Sequence, residues 1–151
     1  MNALVVCFSK FGNTKQVAQA IGAVLSAAGP ARVIGTDQLG ETDFEGVDLV
    51  VMGSPTHRMN LPEAVRPVLK ALPRRVLRGA AIAAFDTSYK MSPWLAPFTA
   101  APRLDRKLRR LGGRRVVPAK TFHVTGREGP LYDGELERAR AWAQSILRQL
   151  G

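Results

Sequence analysis

The chain has 151 residues, of which 46% are hydrophobic; this is enough to bury a core unaided and excludes a disordered chain. A lone cysteine, Cys7, excludes an internal disulfide framework and fits a reducing compartment, so a cytoplasmic location is expected. Against 12 Asp and Glu stand 22 Lys and Arg, and the formal net charge of +10 favours acidic partners and salt-sensitive association.

Ala3 to Phe8 is an apolar run without a basic lead-in, the pattern of a first strand and not of a secretory leader. A helix is predicted from Asn13 to Ala28, with Val17, Ala18, Ile21, Val24 and Leu25 at helical spacing and Gly29-Pro30 as its stop. Arg32 to Gly35 reads as a short second strand, and the polar stretch from Asp37 to Gly46 has room only for a short helix. Val47 to Gly53 is a fully buried central strand. The next helix starts at Pro62 and runs to Leu72, with a kink or early stop expected at Pro67. Ala80 to Phe85 forms the fourth strand, and a long loop covers Asp86 to Pro97. A basic amphipathic helix follows to Leu111, closed by Gly112-Gly113. Val116 to Val124 is the fifth strand, with Pro118 imposing a bulge or an edge position. The last helix spans Gly134 to Leu150 and buries Leu136, Trp142, Ile146 and Leu150. No apolar stretch approaches the length of a membrane span.

Strands alternating with crossover helices predict an α/β fold, a doubly wound five-stranded parallel sheet of order 2-1-3-4-5, with residues 1–151 forming one domain. Ligands in such sheets bind outside the carboxyl ends of the strands, which points to the loops at Ser9 to Thr14, Ser54 to Leu61 and Asp86 to Pro97. In the first, Ser9 and Thr14 supply hydroxyls, Gly12 allows a tight turn, Asn13 is placed to cap the helix and Lys10 adds a cation. That is the chemistry a phosphate needs at a helix N-terminus. The same residues also serve a plain strand-to-helix turn. The loop lacks the Gly-Lys-Ser/Thr ending of a P-loop and the three glycines of a dinucleotide fingerprint, which disfavours ATP and NAD as the main ligand.

Ser9-Lys10-Phe11-Gly12-Asn13-Thr14, followed by Lys15-Gln16-Val17-Ala18, resembles the phosphate loop of flavodoxins and flavodoxin-domain proteins. The resemblance implies a flavodoxin-like fold and flavin mononucleotide (FMN) as cofactor, its phosphate wrapped without a metal ion. Many members of the family carry a hydroxyl residue where this chain has Phe11. Gly53-Ser54-Pro55-Thr56 and the following His57, Arg58, Met59 and Asn60 are similar to the family's second loop, which covers one face of the flavin. By resemblance Pro55, Thr56 and His57 line the flavin, with His57 or Met59 against the ring. Asp86, Thr87, Ser88 and Tyr89 occupy the third loop; Tyr89 is the candidate stacking ring, with Asp86 to Ser88 near the pyrimidine edge.

Other features have plainer readings. Trp94 and Phe98 read as core anchors under the following helix, or else as an apolar wall for an organic acceptor. Val124 to Leu131 is similar to a segment of some flavodoxin-domain proteins, and its two glycines and proline suit a tight strand-to-helix connection, a packing role. Cys7 reads as a small core residue. His57 and His123 are the only histidines, and no cluster at ligand spacing suggests a metal. No Ser-His-Asp, Cys-His or paired-carboxylate arrangement suggests catalysis by side chains. The basic residues gather at Arg74, Arg75 and Arg78 and from Arg103 to Arg115. No aromatic residues interleave with them to stack on bases, so nucleic acid is not an expected partner and a solvated face is the simpler reading. The favoured function is electron carriage between redox partners, with an acidic partner protein or a small organic acceptor. The alternatives are an FMN-dependent oxidoreductase passing electrons from NAD(P)H or another donor to a quinone-like acceptor, and a domain of this fold that binds partners without redox work.

Overall fold

The computed structural model describes residues 1–9, 11–56 and 60–151. In chain order the strands and α-helices are β1 (Ala3–Cys7), α1 (Asn13–Ser26), β2 (Ala31–Gly35), β3 (Leu49–Pro55), α2 (Val65–Lys70), β4 (Ala81–Tyr89), α3 (Ala100–Arg110), β5 (Arg114–Arg115), β6 (Lys120–Val124) and α4 (Glu135–Leu150). The strands pair in parallel in the order β2-β1-β3-β4-β5, with β6 also beside β4. This is the doubly wound 2-1-3-4-5 sheet that the alternating pattern predicts.

Two apolar layers follow from the period of two along the strands. Ala3, Val5 and Cys7 of β1 point to the face covered by α1 and α4, where Ile21, Leu25, Trp142 and Ile146 are buried. Leu4 and Val6 point to the opposite face, where Val65 and Leu69 of α2 and Leu104 and Leu108 of α3 close the second layer. A fully buried Leu or Ile contributes about 1.5–3 kcal/mol, so these layers dominate the stability of the sheet. Phe85, Phe122 and Trp142 meet edge to face with ring centroids 6.0 Å apart. A side chain at Gly53, inside β3, would collide with the Phe85 ring, so glycine is required at that position.

Several elements differ from the sequence reading. Helix α2 begins at Val65 and not at Pro62, which leaves Pro67 in the first turn. The N–H that proline lacks has no intrahelical acceptor there, and the helix runs past Pro67 to end at Lys70. The polar stretch before β3 forms two 3-10 turns, Thr36–Gln38 and Glu41–Phe44. The fifth strand is split: β5 pairs with Ala81 and Ile82, and β6 with Phe85 to Tyr89. Pro118 lies in the gap, where it has no N–H to give to the ladder. Strand β4 continues through Asp86, Thr87, Ser88 and Tyr89, which the sequence reading assigns to a loop. Polarity hides that extension, because β6 supplies its ladder, the Thr87 hydroxyl meets Thr14 and Asp86 Oδ2 accepts the Ala101 N–H, while Asp86 Oδ1 is buried with no hydrogen-bond partner among the described residues.

Trp94 and Phe98 are not core anchors. They lie in a 3-10 turn, Pro93–Phe98, with 72% and 49% of their surfaces exposed. Among the described residues no helix is long and apolar enough to cross a membrane.

Candidate functional site

The carboxyl ends of β1, β3 and β4 open into one cleft of about 870 Å³, within the size range of small-molecule and cofactor sites. Ser9, Phe11, Asn13 and Thr14 line it from the first loop, Pro55, Thr56 and Asn60 from the second, and Thr87, Ser88 and Tyr89 from β4. The three segments singled out by sequence therefore converge on one cavity. Lys10, His57, Arg58 and Met59 lie outside the described residues.

The first loop is shaped by Gly12, which precedes α1 with φ 88° and ψ −11°. That left-handed conformation favours glycine. Its N–H donates to Ser9 Oγ at 2.9 Å, which draws the loop into a closed turn. Asn13 does not cap the helix; Gly12 holds that position without a side-chain bond, and Asn13 is the first helical residue and is buried. Thr14 is also buried, and its hydroxyl meets the Thr87 hydroxyl at 2.9 Å, joining the first loop to the end of β4.

The second loop is held to β4 as well. The Thr56 N–H donates to the Thr87 carbonyl at 2.9 Å, and the Thr56 hydroxyl donates to Asp86 Oδ2 at 3.0 Å. Thr56 Oγ1 in turn accepts the Ala100 N–H at 3.0 Å, and Asp86 Oδ2 accepts the Ala101 N–H at 2.8 Å. Asp86 is thus a buried anchor beneath the N-terminus of α3 and is not among the residues lining the cleft. Burial pushes its carboxyl above the ordinary value, while the Thr121 hydroxyl, the Ala101 N–H and the Thr56 and Thr99 hydroxyls pull the other way. Asn60 Oδ1 accepts the Leu61 N–H at 2.8 Å. Tyr89 ends β4 with about half its surface open, a ring available at the cleft wall.

Sequence reasoning missed several lining residues, among them Phe8, Glu63, Arg66, Val124 and Arg127. Arg127 belongs to the connection after β6 that reads in sequence as packing alone. A pair of glycines flanking a charged dipeptide is the available signal, since it marks a turn that presents its tip. Cys7 is in the core, and burial raises its thiol above the ordinary value, with Lys15 opposing and Asp37 adding to the effect. Among the described residues no three His, Cys, Asp or Glu gather to hold a metal ion.

The residues fit FMN. A helix N-terminus, a positive-φ glycine and serine and threonine hydroxyls are groups that suit a phosphate, and Tyr89 and the Pro55-Thr56 segment on the same cleft are groups that suit an aromatic ring. The family model described as Flavodoxin matches residues 5–142. No curated protein sequence matches the chain. Among solved structures, a flavodoxin from the domain Archaea is 20% identical with a TM-score of 0.78, all of each chain being covered. Flavodoxin 1 from Bacillus cereus is 19% identical with a TM-score of 0.78 over all of both chains. The rubredoxin oxygen:oxidoreductase of Desulfovibrio gigas is 16% identical with a TM-score of 0.77; 99% of this chain covers 36% of that one.

Proposed function

The chain belongs to the flavodoxin family, whose members bind FMN and carry electrons, and on that premise we propose that its cleft seats the FMN phosphate at Ser9 to Thr14 and the flavin ring between the second loop and Tyr89. The convergence of the three loops on one cavity, tied by the hydroxyl pair of Thr14 and Thr87, is the observation that carries this reading. When bound, FMN supplies the electron-transfer chemistry. The chain's residues bind and orient it: Gly12 and Ser9 fix the turn, Thr14 offers a hydroxyl, and Tyr89 and Pro55 flank the ring. The Lys10, His57, Arg58 and Met59 contributions implied by the family resemblance belong to the same proposal.

The partner is a redox protein with an acidic docking face, met in the cytoplasm. Three features support that partner: the net charge of +10, the exposed Arg106 and Arg110 on α3, and the exposed Trp94 and Phe98 just before that helix. Trp94 and Phe98 are not among the cleft-lining residues, which favours protein docking over an apolar wall for an organic acceptor. Titration of purified protein with FMN and with riboflavin, followed by quenching of flavin fluorescence, tests the site. One FMN per chain with a clear preference over riboflavin is expected; equal affinity for the two would overturn the phosphate-loop assignment.

A further inference from the structure

After β6 the chain turns back on itself in a small closed hairpin. Val124 bridges Leu131 in antiparallel register, the Thr125 N–H donates to the Pro130 carbonyl at 2.8 Å, and the Tyr132 N–H donates to the His123 carbonyl at 3.1 Å. The tip is a turn closed by the Gly129 N–H on the Gly126 carbonyl at 3.0 Å, which leaves Arg127 and Glu128 as its two central residues. Gly129 has φ 91°, and any Cβ there would collide with the Asn13 carboxamide. The hairpin tip therefore rests on the first turn of α1, beside the loop from Ser9 to Thr14. Arg127 lines the cleft from that tip.

We propose that Arg127 is a ligand-binding residue that reads the terminal phosphate of FMN and sets the preference for FMN over riboflavin. The inference rests on the cleft being the FMN site. Two arginines line the described part of the cleft. Arg66 donates to the Leu61 carbonyl at 3.2 Å and shares its wall with Glu63, so it is partly engaged. Arg127 has no carboxylate or hydrogen-bond partner among the described residues, and its five N–H donors are open to a ligand. A guanidinium pairs with phosphate through two parallel hydrogen bonds and brings a full positive charge, which the backbone N–H groups of a helix terminus do not carry. The hairpin's three backbone bonds and its seat on Asn13 hold the Arg127 backbone at the phosphate end, so little ordering of the loop is needed on binding.

The test is parallel titration of the parent, Arg127→Ala, Arg127→Lys and Gly129→Ala with FMN and with riboflavin. Arg127→Ala should weaken FMN by about tenfold or more, the loss expected for a charge-assisted hydrogen bond, and leave riboflavin within about twofold. Arg127→Lys should restore part of the loss. Gly129→Ala, which displaces the tip from Asn13, should shift the FMN-to-riboflavin ratio in the same direction as Arg127→Ala. Unchanged FMN affinity in Arg127→Ala, or equal weakening of both flavins, overturns the proposal. A parent protein that binds neither flavin, or both equally, overturns the FMN reading itself, and that result is visible before any variant is made.

Discussion

Among the described residues no atom lies within 4 Å of the position a Cβ on Gly12 would take, so what opposes a side chain there is the strain of its positive φ. Gly12→Val should cost about 1–3 kcal/mol in chemical denaturation and abolish tight FMN binding, whereas Gly12→Asn, which tolerates positive φ, should cost less. Thr14→Ala removes a buried partner of the Thr87 hydroxyl and should lower stability by about 1–3 kcal/mol as well as weakening FMN. Both effects are read by denaturation and flavin titration on the same preparations. Asp86 gives a pH-dependent outcome. Its carboxyl is raised in the folded state, so the folded state favours the protonated form; stability from that form is full at low pH and is lost as pH rises through the raised value. Asp86→Asn keeps an acceptor for Thr56 and Ala101 but never ionises, so its stability relative to the parent should rise from pH 4 toward neutrality. An unchanged difference across that range would contradict burial as the governing cause. Hydroxyls and a glycine between a strand and a helix made the first loop legible in sequence. The anchoring work of Asp86 was not, because its partners Thr56 and Ala101 are distant in sequence and meet it only when β3, β4 and α3 pack.

Helix α3 begins on groups that belong to other elements: Ala100 donates to Thr56 and Ala101 to Asp86. Thr56→Val should remove one of these acceptors while nearly preserving volume, at about 0.5–2 kcal/mol, the range of a lost helix cap. Hydrogen exchange should localise the loosening to the first turn of α3 and spare α4, whose start is held separately. There Glu135 accepts the His123 N–H at 2.6 Å and pairs with Arg138 at 2.7 Å. Burial raises the Glu135 carboxyl, but the Arg138 guanidinium and the His123 N–H outweigh it and leave it below its ordinary value. The buried strands could be read from apolar runs, since β1 and β3 are covered on both faces. The end of β4 could not, because Asp86, Thr87 and Ser88 look like loop residues until β6 lies beside them. Pro118 announced an interruption, but only pairing with β4 showed that both halves of the fifth strand stay in the sheet.

Across the whole molecule the net charge of +10 acts on encounter more than on folding. Electron transfer to an acidic partner should slow steeply as salt rises, and charge reversal at Arg106 and Arg110 should slow it at fixed salt. Arg109 and Arg115 are poor choices for that experiment, because both pair with the buried Asp105, at 3.0 and 3.6 Å. Reversal there would disturb α3 itself. A rate indifferent to salt and to Arg106→Glu and Arg110→Glu would make these residues a solvated face only. Composition foretold the charge and its clustering, but not that Asp105 engages two of the arginines while others on α3 stay exposed.

The hairpin after β6 also decides what the sheet offers to other molecules. An edge strand presents unpaired N–H and C=O groups on which a foreign strand can template itself. Here the His123 carbonyl and the Thr125 N–H are already taken by Tyr132 and Pro130 of the same chain. The chain thereby caps the end of β6 nearest the cleft, a built-in guard against intermolecular sheet extension, and a deletion that straightened this connection would expose it to self-assembly.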